Sequence, residues 1–398
     1  MPSLISKTVV LAAVSLAGLS AANSPADVQT LNPQARAFLR QARASDNATG
    51  LEEASRTVEQ ALRSAPDNLE SRRLAVELLL AQHRFAEALE QARKLNHSVP
   101  DDIAAWGLVS DAALGLGDYA EAERSAQWMI RLRATNIGGL ERGARLRELF
   151  GDLDGARELW QSAMRLAPAG EEHDWILTQM ASLDRRTGHA VAAISLLQEV
   201  LRSQPGYQPA LAEMARVEMD RRNYAKAAEM LAIRYHATHR PDAQYELARA
   251  LEMAGRTSEA AAQYREFESA ALAVSQAPYN YNHQLTFFYV DREEKPKEAL
   301  RIAAREAAKR QDVATLDAYA WALCADGQLP EAGKQIAKVL SVGVHEPDVL
   351  YRAGVISAKL NDASAASRYF TQSLAVSSES VVADAVRAAL KELGPHAD

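Results

Sequence analysis

Cysteine is almost missing from this chain: Cys324 is the single thiol in 398 residues. One thiol excludes an intramolecular disulfide and any CxxC-based metal or redox site, so stability has to come from packing. Aromatic residues make up only 6% of the chain, and 19 Gly and 14 Pro are too few for a disordered or collagenous chain. Positive charge is not in excess either: the formal net charge is −7 and the Lys and Arg residues are dispersed. Nucleic-acid binding needs a basic stripe that displaces counterions from phosphate, and that function class is set aside. GxSxG, the P-loop and HExxH are all absent, which excludes the commonest signatures of serine hydrolases, nucleotide hydrolases and zinc proteases. No cofactor is expected.

What is present is a period. Ala54, Ala88, Ala122 and Ala156 recur every 34 residues, each followed twelve residues later by Pro66, Pro100, Ala134 or Pro168. Self-similarity at this interval marks stacked helix-turn-helix units, none of which can bury its apolar face alone. Hydrophobic residues at 48% and charged residues at 24% suit such an array. No Ser/Gly- or Pro-rich linker divides it, so length alone does not imply several domains.

The repeat resembles the tetratricopeptide family, which favours a large apolar residue at position 4 of 34, Leu at 7 and a small residue at 8. It further favours Gly-Asp-Tyr at 15–17, Ala at 20, an aromatic at 24, Ala at 27 and Pro at 32. A unit beginning at Ile103 carries Trp106, Ser110, Gly117-Asp118-Tyr119 and Ala122. The next, from Ile137, carries Ala144, Gly151-Asp152-Leu153, Ala156, Trp160, Ala163 and Pro168. Small residues at 8 and 20 let two helices approach, large ones at 4, 7 and 24 fill the space that remains, Gly at 15 ends the first helix and Pro at 32 the second. In this frame about ten units begin near Ala35, Leu69, Ile103, Ile137, Asp174, Gln208, Pro241, Asn280, Val313 and Pro347. The expected fold is all-α: a right-handed superhelical solenoid of about ten helix-turn-helix units over 35–380, with a capping helix and tail over 381–398.

Two units are degenerate. The one near Gln208 has His239 at position 32, and the one near Asn280 has Phe287 where a small residue belongs. Glu171 to His173 are an insertion between the fourth and fifth units, and the second helix of the seventh runs long, from Ser258 towards Ala277. The expectation is irregular pitch near 171–173 and 265–300.

The amino terminus has the pattern of an export signal. Lys7 precedes the apolar stretch Thr8–Leu19, short for a bilayer-spanning helix, and Ser20-Ala21-Ala22 forms a small-x-small cleavage site with no cysteine beside it for lipidation; an uncleaved membrane anchor is the alternative. The expected organisation is a cleaved signal peptide over 1–22 and a short lead-in over 23–34, with a periplasmic or secreted product that has no stable membrane insertion. Cys324, beside Trp321 and Leu323, is expected to be a buried, unreactive thiol.

Titratable clusters are thin. His236 and His239 stand one helical turn apart with Asp242 nearby, but without an HExxH context they read as the polar end of a helix. His345-Glu346-Pro347-Asp348 falls at an inter-unit turn, where such residues cap helices. No catalytic or metal-binding set follows, and an enzyme is not expected.

The resemblance implies a concave groove lined by positions 2, 5, 9 and 12 of each first helix. Carried over, these give Arg145, Trp175, Arg216, Tyr245, Arg249, Tyr281, Phe288, Trp321 and Tyr351 as partner-binding candidates. Arg and aromatic side chains dominate interface hot spots. The Lys/Asn carboxylate clamp of some chaperone-binding members is not evident. The stretch Tyr279–Tyr289 concentrates aromatics and reads as inter-unit core, with a sticky edge as the alternative. The expected function is a non-catalytic scaffold holding a protein or peptide partner. An accessory of a polysaccharide-secretion or cell-wall machine, and a metal-dependent enzyme or carrier, stay open as alternatives.

Overall fold

The computed structural model describes residues 25–45, 48–277 and 280–394. The expected signal peptide, and Tyr279 of the aromatic stretch, lie outside the described residues. Helices pair in chain order. The first five pairs are α1 (Pro25–Ser45) with α2 (Ala48–Ser64), α3 (Leu69–Ala81) with α4 (Phe85–Ser98), α5 (Ile103–Leu116) with α6 (Tyr119–Leu132), α7 (Ile137–Leu149) with α8 (Leu153–Leu166), and α9 (Glu171–Arg186) with α10 (Ala190–Ser203). Next come α11 (Gln208–Asp220) with α12 (Tyr224–Thr238), α13 (Pro241–Met253) with α14 (Thr257–Ala273), α15 (Asn282–Asp291) with α16 (Pro296–Ala307), α17 (Val313–Ala325) with α18 (Leu329–Ser341), and α19 (Pro347–Lys359) with α20 (Ala363–Val376). A last helix, α21 (Ala383–Leu393), lays Val386, Ala389 and Leu393 against Phe370 and covers the end of the tenth unit.

The period is obeyed where helices meet. Ala54, Ala88, Ala122, Ala156, Ala193, Ala227, Ala299, Ala332 and Ala366 are each fully buried. Only a methyl group fits there, because each second helix crosses its partner at van der Waals distance at that point. The turns follow from the same residues. Gly117 and Gly151 end their helices in the left-handed region (φ 83° and 76°), and the carboxylates of Asp118 and Asp152 accept the backbone N–H groups of Glu121 and Gly155 to start the next. Cys324 is buried, and its desolvated thiol is pushed above the ordinary range, which keeps it protonated and inert.

Three boundaries differ from expectation. The lead-in is helical from Pro25, so α1 has 21 residues and contains Pro33. The inserted Glu171–His173 add a turn to the start of α9, where three acidic side chains lie in the first turn at the helix N-terminus. The long helix of the seventh unit ends at Ala273 and continues as hydrogen-bonded turns to Ala277.

The coil also closes on itself. The turns within units two to six touch the inter-unit turns of units eight to ten and the approach to α21. Gln311 donates its backbone N–H to the Leu116 carbonyl at 3.2 Å, and the Val313 N–H reaches the Tyr119 hydroxyl at 2.7 Å. Further along, Arg186 pairs with Glu346 at 3.4 Å, Arg222 with Asp384, and the Val381 N–H donates to Asp220 at 3.2 Å. Partners separated by about 160 to 195 residues thus meet edge to edge, and the concave face becomes the wall of an interior space.

Candidate functional site: the concave face of units five to seven

The first helices α9, α11 and α13 lie side by side and are tied by a ladder of ion pairs. Arg185 binds Glu213 at 2.6 Å and Asp220 at 3.0 Å, and Arg216 binds Glu213 at 3.1 Å and Glu246 at 2.5 Å. Arg234 on α12 binds Asp242 at 2.8 Å and Glu246 at 3.0 Å. Glu213 is only 3% exposed. Burial alone would raise its pKa, but the Arg185 and Arg216 guanidiniums outweigh desolvation and hold it down at about 2. Arg216 is raised in turn, chiefly by Glu246. These positions weld neighbouring units together.

Beside the ladder opens a cleft of about 1120 Å³. Trp175 and Tyr207 give it aromatic walls, and Gln179, Gln204 and Gln208 supply amide donors and acceptors. Arg40, Arg216, Arg234 and Arg240 also line it, but Arg216 is paired with Glu213 and Glu246, and Arg234 and Arg240 with Asp242. Burial, with Glu171 and Asp174 nearby, pushes the Tyr207 hydroxyl up to about 12, so it remains an O–H donor. A second cavity, of about 220 Å³, adjoins at Arg216 and lies between units five to seven and the start of unit ten.

The model of the tetratricopeptide repeat (TPR) family matches residues 51–112, from α2 of the first unit through the second unit into α5 of the third. The same helix pair continues through all ten units. The chain is a tetratricopeptide repeat protein. Such proteins act in general as scaffolds for protein partners. No curated protein matches the sequence. Among solved structures, a monomeric mutant of IFIT1 with Gppp-AAAA is similar at 13% identity and TM-score 0.51, over 88% of this chain and 81% of that one. The Cut9–Hcn1 hetero-tetramer of APC/C aligns at 14% identity and TM-score 0.42, covering 86% of this chain and 52% of that one, so this chain spans about half of that neighbour's length. TTC0263, a thermophilic TPR protein of Thermus thermophilus, aligns at 18% identity and TM-score 0.40, over 48% of this chain and 98% of that one. At these identities the likeness concerns the fold alone.

The TPR positions chosen from sequence separate into two groups. Arg145, Arg216 and Arg249 are exposed, and Trp175 lines the cleft. Trp321 and Tyr351 are half-buried between first helices: the Trp321 indole N–H donates to Asp291 at 2.7 Å, and Tyr351 packs on Phe370. Tyr245, Tyr281 and Phe288 belong instead to an apolar core with Tyr264 and Phe267, at 8%, 6% and 2% exposure. For Tyr245 the cause is size: its ring fills the gap to α14, and Arg249 lies over its open side. For Tyr281 and Phe288 the cause is register. The turn between α15 and α16 spans four residues, 292–295, where units seven and nine use three. One extra residue rotates α15 by about 100° relative to the frame. Leu285 and Thr286, both fully buried, therefore take positions 7 and 8. Phe287 moves to position 9, where Arg352 stacks over its ring at 4.9 Å. The unit is thus less degenerate than it reads, and the aromatic stretch is core from Tyr281 onward except at Phe287.

Sequence reasoning also missed Arg185, Tyr207 and Asp348, which face the interior through helix ends and the closure. His236 and His239 are exposed and pack against Tyr235, and Asp242 is occupied by Arg234 and Arg240. Among the described residues no group of three His, Cys, Asp or Glu side chains could hold a metal ion.

Proposed function

We propose that this TPR protein is an exported, periplasmic scaffold that holds a peptide segment of a protein partner in the cleft beside α9 and α11. The carrying observation is the cleft itself: aromatic walls at Trp175 and Tyr207, with Gln179, Gln204 and Gln208 beside them. Apolar area on Trp and Tyr supplies affinity, while glutamine amides can bond peptide groups. Export rests on the apolar stretch Thr8–Leu19 and Ser20-Ala21-Ala22. Among the described residues no helix is long and apolar enough to cross a membrane.

The test is capture of partners from an envelope extract by the mature chain, with mass spectrometry of what is retained. Trp175→Ala with Tyr207→Ala should weaken the captured partner by at least ~2 kcal/mol, the hot-spot scale. Arg216→Ala is unsuitable as a probe, because it strips Glu213 of a counter-charge and destabilises the ladder. Glu259→Ala, on an exposed face, is the control. Full binding by the cleft variant, with loss on altering the exposed second helices instead, would place the interaction on the other side. Amino-terminal sequencing should start at Asn23; a product that retains Met1 would refute export.

A further inference from the structure

The smaller cavity contains a charge pattern that the ladder leaves unresolved. Four arginines line it, and three are spoken for: Arg185 by Glu213 and Asp220, Arg186 by Glu148 and Glu346, Arg216 by Glu213 and Glu246. Arg249 has no carboxylate within ion-pairing distance among the described residues and only covers the Tyr245 ring, at 5.9 Å. Its electrostatic opposite, Asp348, lines the same cavity and likewise makes no ion pair or hydrogen bond among the described residues. Ser380, 8% exposed, adds a buried hydroxyl with no hydrogen-bond partner. Met219, Leu231 and Val381 make an apolar floor. One cation, one anion, one hydroxyl and a greasy surface therefore converge on about 220 Å³, many times the ~10–15 Å³ a single water needs.

A guanidinium and a carboxylate without protein partners on two walls of one cavity, beside the buried unpartnered Ser380 hydroxyl, offer a matched site to a ligand carrying both complements. We infer that this cavity binds a small aliphatic α-amino acid, its carboxylate on Arg249, its ammonium on Asp348 and its side chain on the Met219–Leu231–Val381 floor. The two charged walls belong to units seven and ten, which meet only because the coil closes. Binding therefore favours the closed superhelix through linkage. The inference is independent of the peptide cleft.

Calorimetry and thermal melting of the mature chain with L-valine and L-leucine test it, with isoamylamine and isovalerate as single-charge controls. The amino acids should bind and raise the melting temperature. Each control should bind at least about tenfold more weakly, as should the amino acids to Arg249→Gln or Asp348→Asn. Ser380→Ala should weaken binding less. Both charge variants should melt close to the wild type without ligand, since neither residue has an ion pair or hydrogen bond to lose. No binding of either amino acid up to ~10 mM overturns the inference. Equal binding of isovalerate, or full binding by either charge variant, overturns it as well.

Discussion

Gly117 and Gly151 do the same local task as Gly255 and Gly327: each ends a first helix in the left-handed region, at φ 83°, 76°, 76° and 81°. Their surroundings differ completely. A Cβ on Gly117 would meet the Gln311 carbonyl oxygen at 2.5 Å, and one on Gly151 would meet His345 at 2.5 Å and the Gly343 carbonyl oxygen at 2.6 Å. A Cβ on Gly255 or Gly327 would meet nothing within 4 Å. Units three and four present their turns to the next coil of the superhelix, whereas units seven and nine present theirs to open space. One sequence feature thus has two meanings, and only the closure separates them. Gly343, at φ 107°, stands on the other side of this contact, 2.5 Å by the same measure from the Phe150 carbonyl oxygen.

Substitution should break the comparison in proportion. Gly151→Ala combines left-handed strain with a backbone clash and should cost about 3 to 5 kcal/mol, with a more open coil in X-ray scattering. Unchanged dimensions would show that the coils do not touch in solution. Acid probes stability that does not depend on closure. With Glu213 near 2 when folded and near 4.5 otherwise, its contribution of about 3 kcal/mol is full above pH 4.5 and is lost as the pH falls through 2. Denaturant titration between pH 5 and 2 should show this slope in the wild type and in Gly151→Ala alike, and Glu213→Gln should flatten it. Gly327→Ala should cost only the strain, about 1 to 2 kcal/mol, without opening the coil. Arg222→Ala removes the exposed pair with Asp384 and should leave the melting temperature within error; a large drop would mean that surface charge holds the coils together.

Most of the fold was legible because its physics is local. The 34-residue alanine period sets where helices cross, and Gly-Asp sets where they turn; both act within one or two units, so the pattern survives in the sequence at every repeat. Even the register slip at α15 was written there, in the extra turn residue before Pro296, though it reads as a misplaced Phe287 until Leu285 and Thr286 are seen in the core. The candidate site was legible only in part. Position 9 located Arg216 and Arg249 on the concave face, yet nothing in the repeat says that Arg216 is spent on Glu213 and Glu246 while Arg249 is left without a counter-charge.

The sequence by itself determined the units, their boundaries to within a few residues, the buried alanines and the capping helix, because each follows from contacts between neighbours in the chain. Only the tertiary structure decided that the fifth unit meets the tenth and that Gly151 faces His345. It alone also brought Arg249 and Asp348 to one cavity. Superhelix pitch is the sum of small rotations over many units, and no single repeat carries that sum, so groups nearly a hundred residues apart come together without leaving a local trace.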